Sequence, residues 1–445
     1  MHDAIQSNKV AANKVKETLS RHILADGFDF VMDMEKSHGS WIHDKISGEE
    51  YLDMFSMFAS GAIGYNHPYL VKHTEWLGKM AINKPTLADV YSEEYAEFME
   101  VFERVAIPKH LQYAFFISGG TLAVENAMKA CFDWKTKKNF AKDIEVEGDI
   151  CIHFRQAFHG RSGYTLSLTN TFDPRKYQYF PKFDWPRILN PHLNYPITEE
   201  NLEETIKNEQ IALLNIQEAI IANPNRVACI IIEPIQAEGG DHHFRDEFFQ
   251  GLRKICDENE VLLIFDEVQT GIGMTGKMWA HEHFSVQPDV ISFGKKTQVC
   301  GILANKEKFD EVPDNVFRES SRINSTFGGN FIDMMRLKLI LEVIEQENLV
   351  QHAEEMGTYL LEGLQRLEQQ YPQYVSAARG KGLMCAFNLP TAELRNKVQS
   401  QLYQDKVIIL GCGERALRFR PHLNVSKDEI QTALERLEQI LQKEI

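Results

Sequence analysis

An acid and an amine each follow an apolar run of the sequence. Asp266 ends the run VLLIF, and Lys295 and Lys296 follow a second apolar run and Gly294. If both runs are parallel strands, both groups lie at the carboxyl edge of one sheet, where open α/β sheets bind their ligands. A desolvated lysine can form a Schiff base, and an aspartate can pair with a pyridinium nitrogen. Two alternatives stay open here: Asp266 could cap a helix, and the lysine pair could be solvated surface.

A glycine pair follows a third apolar run. In ISGGTLAVENAMK, Gly119 and Gly120 separate this run from a segment with helical apolar spacing. Backbone N–H groups at the start of a helix bind anions. The alternative is an ordinary tight turn. Together with the amine and the acid, this helix start would complete a site for pyridoxal phosphate.

The elements that must position these groups alternate between about residues 112 and 305. Short continuous apolar runs separated by amphipathic stretches predict βα units and a mostly parallel sheet covered on both faces. The clearest runs are Gln112–Ser118, Val227–Ile235, Val261–Val268 and Asp289–Phe293, and EFFQGLRKICDENE predicts a covering helix.

The ends of the chain have a different pattern. Met334–Gln370 predicts long amphipathic helices, and LMCAFNL, VIILG and ALRFRP predict short strands of a smaller α/β lobe. Ser426 and Glu429 have capping-box spacing before the final helix. Two or three strands are expected in the first 70 or so residues, packed on this lobe. The predicted division is 1–75, 76–329 and 330–445.

Composition limits the possible function. The chain has 445 residues, of which 43% are apolar and 25% charged, as in ordinary globular proteins. The dispersed net charge of −16 argues against nucleic-acid binding. No apolar run is long enough to span a membrane, and the seven scattered cysteines predict reduced, buried thiols and no metal site. A soluble, cytoplasmic enzyme is expected.

Three motifs in this order resemble the class III (ω-amino acid) aminotransferases of pyridoxal-phosphate fold type I: EPIQAEGG, FDEVQTG and SFGKK. Four others are similar to the L-lysine 6-aminotransferase branch of that family: FHGRSGYTLSLTN, FPKFDWPRI, FGKKTQVCG and SRINSTFGGN. The resemblance implies an α/β fold, with a large domain built on a mostly parallel seven-stranded sheet flanked by helices. It also implies a smaller α/β domain formed by the N- and C-terminal segments, and a homodimer with shared active sites.

The resemblance also implies the residues that bind pyridoxal 5'-phosphate. Lys295 would carry the cofactor, with Lys296 as a spare, and Asp266 would keep the pyridine nitrogen protonated. Gln269 would lie near the ring hydroxyl, and Phe158 would stack on the ring. The alternatives are that Gln269 is an ordinary polar loop residue and that Phe158 is an aromatic residue of the core. Gly119, Gly120 and Thr121 would bind the phosphate, together with Thr326 from the partner subunit. His159 would also bind the cofactor, although it could instead only hold its loop together.

The same family pattern implies how carboxylates are bound. Arg418 in RFRPHL would take the α-carboxylate of glutamate in a bidentate pair. Glu238 would neutralise Arg418 while lysine occupies the site and move aside for glutamate; a structural ion pair is the alternative. Arg161 would bind the distal carboxylate, unless it is a surface arginine, and Asn324 would assist near the substrate.

The sequence departs from the family pattern at Thr121, Ala237, Phe327 and His422, none of which is a reacting group. The loop KTQVCG favours the lysine or 4-aminobutyrate branches over the ornithine and acetylornithine enzymes. The implied reaction converts L-lysine and 2-oxoglutarate to L-2-aminoadipate 6-semialdehyde and L-glutamate. The alternatives are an ω-aminotransferase for 4-aminobutyrate or ornithine, and a catalytically silent scaffold of the same fold.

Overall fold

A computed structural model describes residues 9–443 of the protein. Its main sheet has seven strands in the order β3-β9-β8-β7-β6-β4-β5. Only β9 runs in the direction opposite to the other six strands, so the prediction of a mostly parallel seven-stranded sheet is confirmed. The strands are β3 Tyr113–Ile117, β4 Ile150–Phe154, β5 Arg187–Ile188, β6 Val227–Ile232, β7 Leu262–Asp266, β8 Val290–Phe293 and β9 Cys300–Ala304.

Helices cover this sheet because its central strands are apolar along their whole length. Every residue of β6, β7 and β8 is buried, as expected for parallel strands packed on both faces. The predicted covering helix is present as α8, and α5 contacts β6, β8 and β9. The helices in this part are α1 Val15–Leu19, α2 Pro68–Lys72, α3 Thr74–Ala81, α4 Glu93–Ala106, α5 Gly120–Phe140, α6 Thr165–Leu168, α7 Glu199–Ala222, α8 Asp246–Asn259 and α9 Lys306–Phe309.

Two smaller sheets are formed by the ends of the chain. An antiparallel sheet has the order β10-β11-β14-β13, and a second has the order β1-β2-β12, in which the N-terminal strand β2 pairs with β12. The domain boundaries at residues 75 and 329 stay predictions. The strands are β1 Trp41–His43, β2 Glu50–Asp53, β10 Ser376–Lys381, β11 Met384–Asn388, β12 Val407–Ile408, β13 Leu410–Cys412 and β14 Ala416–Phe419.

The C-terminal helices are α10 Phe331–Gln346, α11 Leu349–Gln370, α12 Ala392–Gln404 and α13 Lys427–Lys443. The predicted helical stretch at 334–370 is interrupted between α10 and α11 by Asn348, which has a left-handed φ of 52°. The predicted strand VIILG is divided between two sheets. The capping box is confirmed, since Glu429 accepts from the N–H of Ser426 and its own N–H donates to the Ser426 hydroxyl.

A left-handed turn follows β2. The φ angles of Ser56, Met57, Phe58 and Ala59 are 43°, 51°, 60° and 66°, a conformation that L residues adopt at a cost of about 1–2 kcal/mol each. The carboxylate of Asp53 supports the turn by accepting from the N–H groups at positions 55 and 56. Carbonyl groups of this turn reach the candidate site.

Among residues 9–443, no helix combines the length and apolarity needed to cross a membrane.

Candidate active site

The carboxyl ends of the parallel strands surround a cavity of about 510 Å³. The segments after β3, β4, β6, β7 and β8 all contribute to it, which is the ligand position expected for an open α/β sheet. Its lining residues are Phe58, Gly120, Thr121, Phe158, His159, Gly160, Arg161, Lys176, Glu233, Ala237, Glu238, Asp266, Val268, Gln269, Lys295 and Arg418.

This lining includes every residue predicted for the site except Gly119, Asn324 and Thr326. Gly119 immediately precedes the cavity-lining Gly120. Asn324 and Thr326 are exposed and do not reach the cavity of their own chain. The contribution of Thr326 to a partner subunit stays a prediction, as do the individual roles of the lining residues.

Asp266 is a buried carboxylate with several hydrogen-bond partners. Its Oδ1 accepts from the Ser292 hydroxyl at 2.9 Å and from the Val268 N–H at 3.1 Å. Its Oδ2 lies 2.7 Å from Nδ1 of His159. No helix begins directly after Asp266 in the described chain, so the helix-cap alternative is wrong. The contact also gives His159 a direct role in orienting this carboxylate.

Lys295 follows β8 on a strained backbone, with a φ of 55°. Its Nζ donates to the carbonyl of Phe58 at 2.9 Å. Burial, followed by the nearby charge of Arg418, lowers the pKa of Lys295 to about 8. A substantial fraction of this amine is therefore neutral near physiological pH, as a nucleophile or proton carrier requires.

Lys296 has a different environment. It is fully buried, and its Nζ donates to the carbonyl of Ala59 at 2.8 Å. It does not line the cavity. The alternative that this lysine pair is solvated surface is wrong, and the geometry favours Lys295 as the reactive member.

The start of α5 can bind an anion. Gly119 has a φ of +104° and leaves the helix without a side-chain cap, so backbone N–H groups are open to a ligand. The Thr121 hydroxyl lies 3.0 Å from that of Thr165 and accepts from the N–H of Arg161 at 3.1 Å. Thr121 therefore connects the loop that carries Arg161 to the start of α5.

Beside the cavity, Nε2 of His159 and Oε1 of Gln269 are buried and have no partner among the described residues. Buried polar atoms are normally hydrogen-bonded, so these two atoms are suited to pair with a bound ligand. An anion site, a partly neutral lysine, a buried carboxylate and the half-buried ring of Phe158 surround the same space. These residues fit pyridoxal phosphate.

Arg418 and Glu238 form an ion pair in the cavity. Nη2 of Arg418 donates to Oε2 of Glu238 at 2.9 Å. The arginine side chain is only 6% exposed, yet its Nε and Nη1 have no partner in the described structure. Burial tends to raise the pKa of Glu238, but Arg418 and Lys176 outweigh it and hold that pKa below its ordinary value. The guanidinium therefore has two donors that Glu238 does not use.

Two charged lining residues were missed by the sequence interpretation. Glu233 accepts from the N–H groups of Phe158 and Ala237, and burial raises its pKa to about 7. It directly follows an apolar run, the same signal that identified Asp266. Lys176 lies in a loop with no apolar periodicity, and its contact with Glu238 has no signal in the sequence.

Comparison with known proteins places the whole chain. The model of the family "Aminotransferase class-III" matches residues 24–441. An L-lysine-epsilon aminotransferase of Mycobacterium tuberculosis is 49% identical, over 97% of this chain and 96% of that protein. The enzyme of the same description from Amycolatopsis lactamdurans is 46% identical, over 96% of this chain and 95% of its own length.

Solved structures agree with this placement. A lysine aminotransferase from M. tuberculosis, in the internal aldimine form, has a TM-score of 0.95 at 48% identity and covers 98% of this chain and 100% of its own. An ornithine aminotransferase from Toxoplasma gondii, at 22% identity, has a TM-score of 0.80 and covers 99% of this chain and 97% of its own. The second likeness concerns the fold alone.

Proposed function

Because the chain belongs to the class III aminotransferases, we propose that it transfers the ε-amino group of L-lysine to 2-oxoglutarate. The products are L-glutamate and L-2-aminoadipate 6-semialdehyde, which cyclises to piperideine-6-carboxylate. Pyridoxal 5'-phosphate is the cofactor. Supporting the choice of lysine are relatives described as lysine aminotransferases at 45–49% identity.

One structural observation carries the proposal: the Glu238–Arg418 pair lies in the same cavity as Lys295. Glutamate brings a carboxylate next to its reacting carbon, whereas the ε-carbon of lysine has only an apolar chain beside it. A cationic subsite that can be neutralised from within the protein suits both substrates. A fixed, unpaired arginine would be costly when lysine is bound.

The residues that would hold the cofactor surround one end of the cavity. Lys295 would carry it, the start of α5 would bind the phosphate, and Asp266 would pair with the pyridine nitrogen. Phe158 would cover the ring face, and the unpaired atoms of His159 and Gln269 would gain partners. When bound, the cofactor serves as an electron sink for the electrons released at the carbon that carries the substrate nitrogen.

Lys295 is also suited to move the proton in this reaction. Its amine has a pKa of about 8, close to the working pH at which proton transfer is efficient. We assign to it the transfer of a proton from the ε-carbon of lysine, and the reverse transfer to the α-carbon during glutamate formation. Asp266 is held by His159 and Ser292, so the position of its carboxylate stays fixed during this transfer.

Arg161 determines the length of the substrate in this proposal. It is exposed and lines the cavity. There it would bind the α-carboxylate of lysine and the side-chain carboxylate of glutamate or 2-oxoglutarate. Asn324, with Thr326 from the partner subunit, would complete the site. We therefore propose a homodimer, and a cytoplasmic location that suits the seven free, buried thiols.

A panel of amino donors with 2-oxoglutarate tests the function. Lysine is expected to give glutamate and a six-membered cyclic imine, trapped by an aromatic aldehyde reagent and identified by its mass. Ornithine as the preferred donor would give the five-membered ring, and 4-aminobutyrate would give no cyclic imine of either size. Absence of turnover with every donor would support a catalytically silent scaffold instead.

A further inference from the structure

The carboxylate of Glu238 has a second cationic partner. Its Oε2 accepts from Arg418, and its Oε1 accepts from Nζ of Lys176. Lys176 ends the short 3₁₀ helix Pro174–Lys176, in the connection between α6 and β5. Each carboxylate oxygen of Glu238 therefore has its own cation.

Lys176 is one of the residues that line the cavity. It lines the same space as Lys295, and its Nζ lies 5.8 Å from the ring centroid of Phe158. The side chains of Lys176 and Glu238 are each 26% exposed, whereas that of Arg418 is 6% exposed. The pair on the loops thus has more freedom than the arginine on β14.

Accepting a second carboxylate creates an electrostatic problem for Glu238. When the α-carboxylate of glutamate binds Arg418, Glu238 loses this partner while its own charge remains beside the substrate carboxylate. Two such anions repel strongly in a partly buried site. Lys176 is already in contact with Oε1, so only the Oε2 bond has to break and Glu238 stays paired.

We propose that Lys176 is a specificity-determining residue that holds Glu238 in its position away from Arg418 during the glutamate and 2-oxoglutarate half of the reaction. This inference rests on the proposed function. In the lysine half, Glu238 is paired with Arg418, and Lys176 is not needed to neutralise it. Lys176 therefore acts through Glu238 as a positioning residue, without contacting the reacting atoms.

The test is Lys176→Met in the holoenzyme, which removes the charge and keeps the stem. Single-turnover spectra with glutamate alone should show an efficiency lowered about tenfold, the effect of one charge-assisted hydrogen bond, through KM more than through the rate at saturation. Lysine alone should change less than about twofold. Calorimetry gives a second readout. Glutarate, which has two carboxylates, should bind to the Lys176→Met protein about tenfold more weakly than to the wild type. Hexanoate, which has one carboxylate, should bind to both proteins equally.

Arg175→Gln is the matched control. It removes the same charge one position away, from a side chain that is 83% exposed and pairs with Asp173. It should leave both half-reactions unchanged. Lys176→Arg should restore most of the glutamate efficiency, because the cation is retained.

The Glu238→Gln background decides how Lys176 acts. Without the Glu238 charge, adding Lys176→Met should no longer affect glutamate. If the tenfold loss persists there, Lys176 binds the substrate carboxylate directly and the proposal is wrong. Equal slowing of both half-reactions by Lys176→Met in the wild-type background, or no effect on either, would also overturn it.

Failure of the proposed function would give a different result. A wild-type protein that reacts with glutamate but not with lysine would refute lysine transamination. The glutamate measurements on the Lys176 variants would still report on Lys176 in that case.

Discussion

The two ends of the cavity are built differently. At the cofactor end, Asp266 ends β7 and Lys295 follows the neighbouring parallel strand β8. Asp266 is fixed by three hydrogen-bond contacts. At the substrate end, Arg418 comes from a strand of another sheet, Glu238 from the segment after β6, and Lys176 from a loop.

This difference corresponds to the chemistry proposed for each end. Groups on the ends of packed strands keep their positions, as a reaction with one fixed geometry requires. Groups on separate segments can exchange partners, as recognition of two unlike substrates requires. We call the cofactor end the fixed end and the substrate end the exchangeable end. The following predictions test whether substitutions at one end leave the function of the other end unchanged.

The largest effect is expected at the fixed end. Lys295→Ala removes the amine and should lower turnover by at least about 10³-fold, since it removes the proposed nucleophile and proton carrier together. Mass spectrometry after borohydride reduction of the wild-type protein should locate the cofactor on Lys295.

Lys296→Met is the control for this variant. It removes an amine that is buried outside the cavity while filling most of its volume, and it should leave most of the turnover. Cofactor found on Lys296 would refute the assignment and remove Lys295 from the fixed end.

Arg161→Ala should weaken binding of lysine and 2-oxoglutarate alike, by about 1.5 to 3 kcal/mol, because each substrate carboxylate loses its charge-assisted hydrogen bonds. Steady-state KM values and single-turnover measurements for each substrate provide the test. Arg155→Ala, which removes an exposed arginine outside the cavity lining, should have little effect. A loss confined to one substrate would place the distal anchor elsewhere.

Glu238→Ala should separate the half-reactions in the direction opposite to Lys176→Met. Lysine would enter beside an unpaired Arg418, and its half-reaction should slow about tenfold, the scale of one lost charge-assisted hydrogen bond. Glutamate, which supplies its own carboxylate, should react as well or better. Single-turnover spectra with each substrate alone measure this separation.

Glu414→Ala removes an exposed acid that lies close to Arg418 in the sequence, and it should affect neither half-reaction. Equal slowing of both halves by Glu238→Ala would mean that Glu238 and Arg418 form a structural ion pair. The substrate end would then be as fixed as the cofactor end.

The smallest effect concerns the influence of one end on the other. Uptake of pyridoxal phosphate by the cofactor-free protein requires the neutral amine of Lys295, so its rate should rise with pH and level off above the pKa of about 8. Arg418→Met removes a positive charge that lowers this pKa, and should move the profile to higher pH. Arg155→Met should leave it in place. An unchanged profile in Arg418→Met would mean that the two ends are electrostatically independent.

The sequence predicted the cofactor end well. Apolar runs ending in Asp266 and Lys295 identify parallel strands, and strands of one sheet bring their ends to one edge. The same argument applies to Gly120 at the start of α5. These inferences succeed because strand burial leaves a continuous apolar signal.

The substrate end could not be predicted in this way. Arg418 and Glu238 are far apart in sequence and were found only through family motifs, and the contact of Lys176 with Glu238 depends on the path of a loop. More than one helix was predicted over Met334–Gln370, but the position of the break at Asn348 was not, because helical spacing continues on both sides of it. The local spacing of apolar residues indicates which residues are buried, but it does not indicate which distant segments of the chain contact each other.

The left-handed turn at Ser56–Ala59 extends the site to a part of the chain that contributes no reacting group. Its carbonyls at Phe58 and Ala59 accept from Lys295 and Lys296, so the N-terminal segment fixes the resting position of both amines. A protein shortened beyond this turn would retain both lysines and their strand while losing the acceptors of both. For protein engineering, this turn therefore has to be retained together with the catalytic part and kept in any redesign of the site.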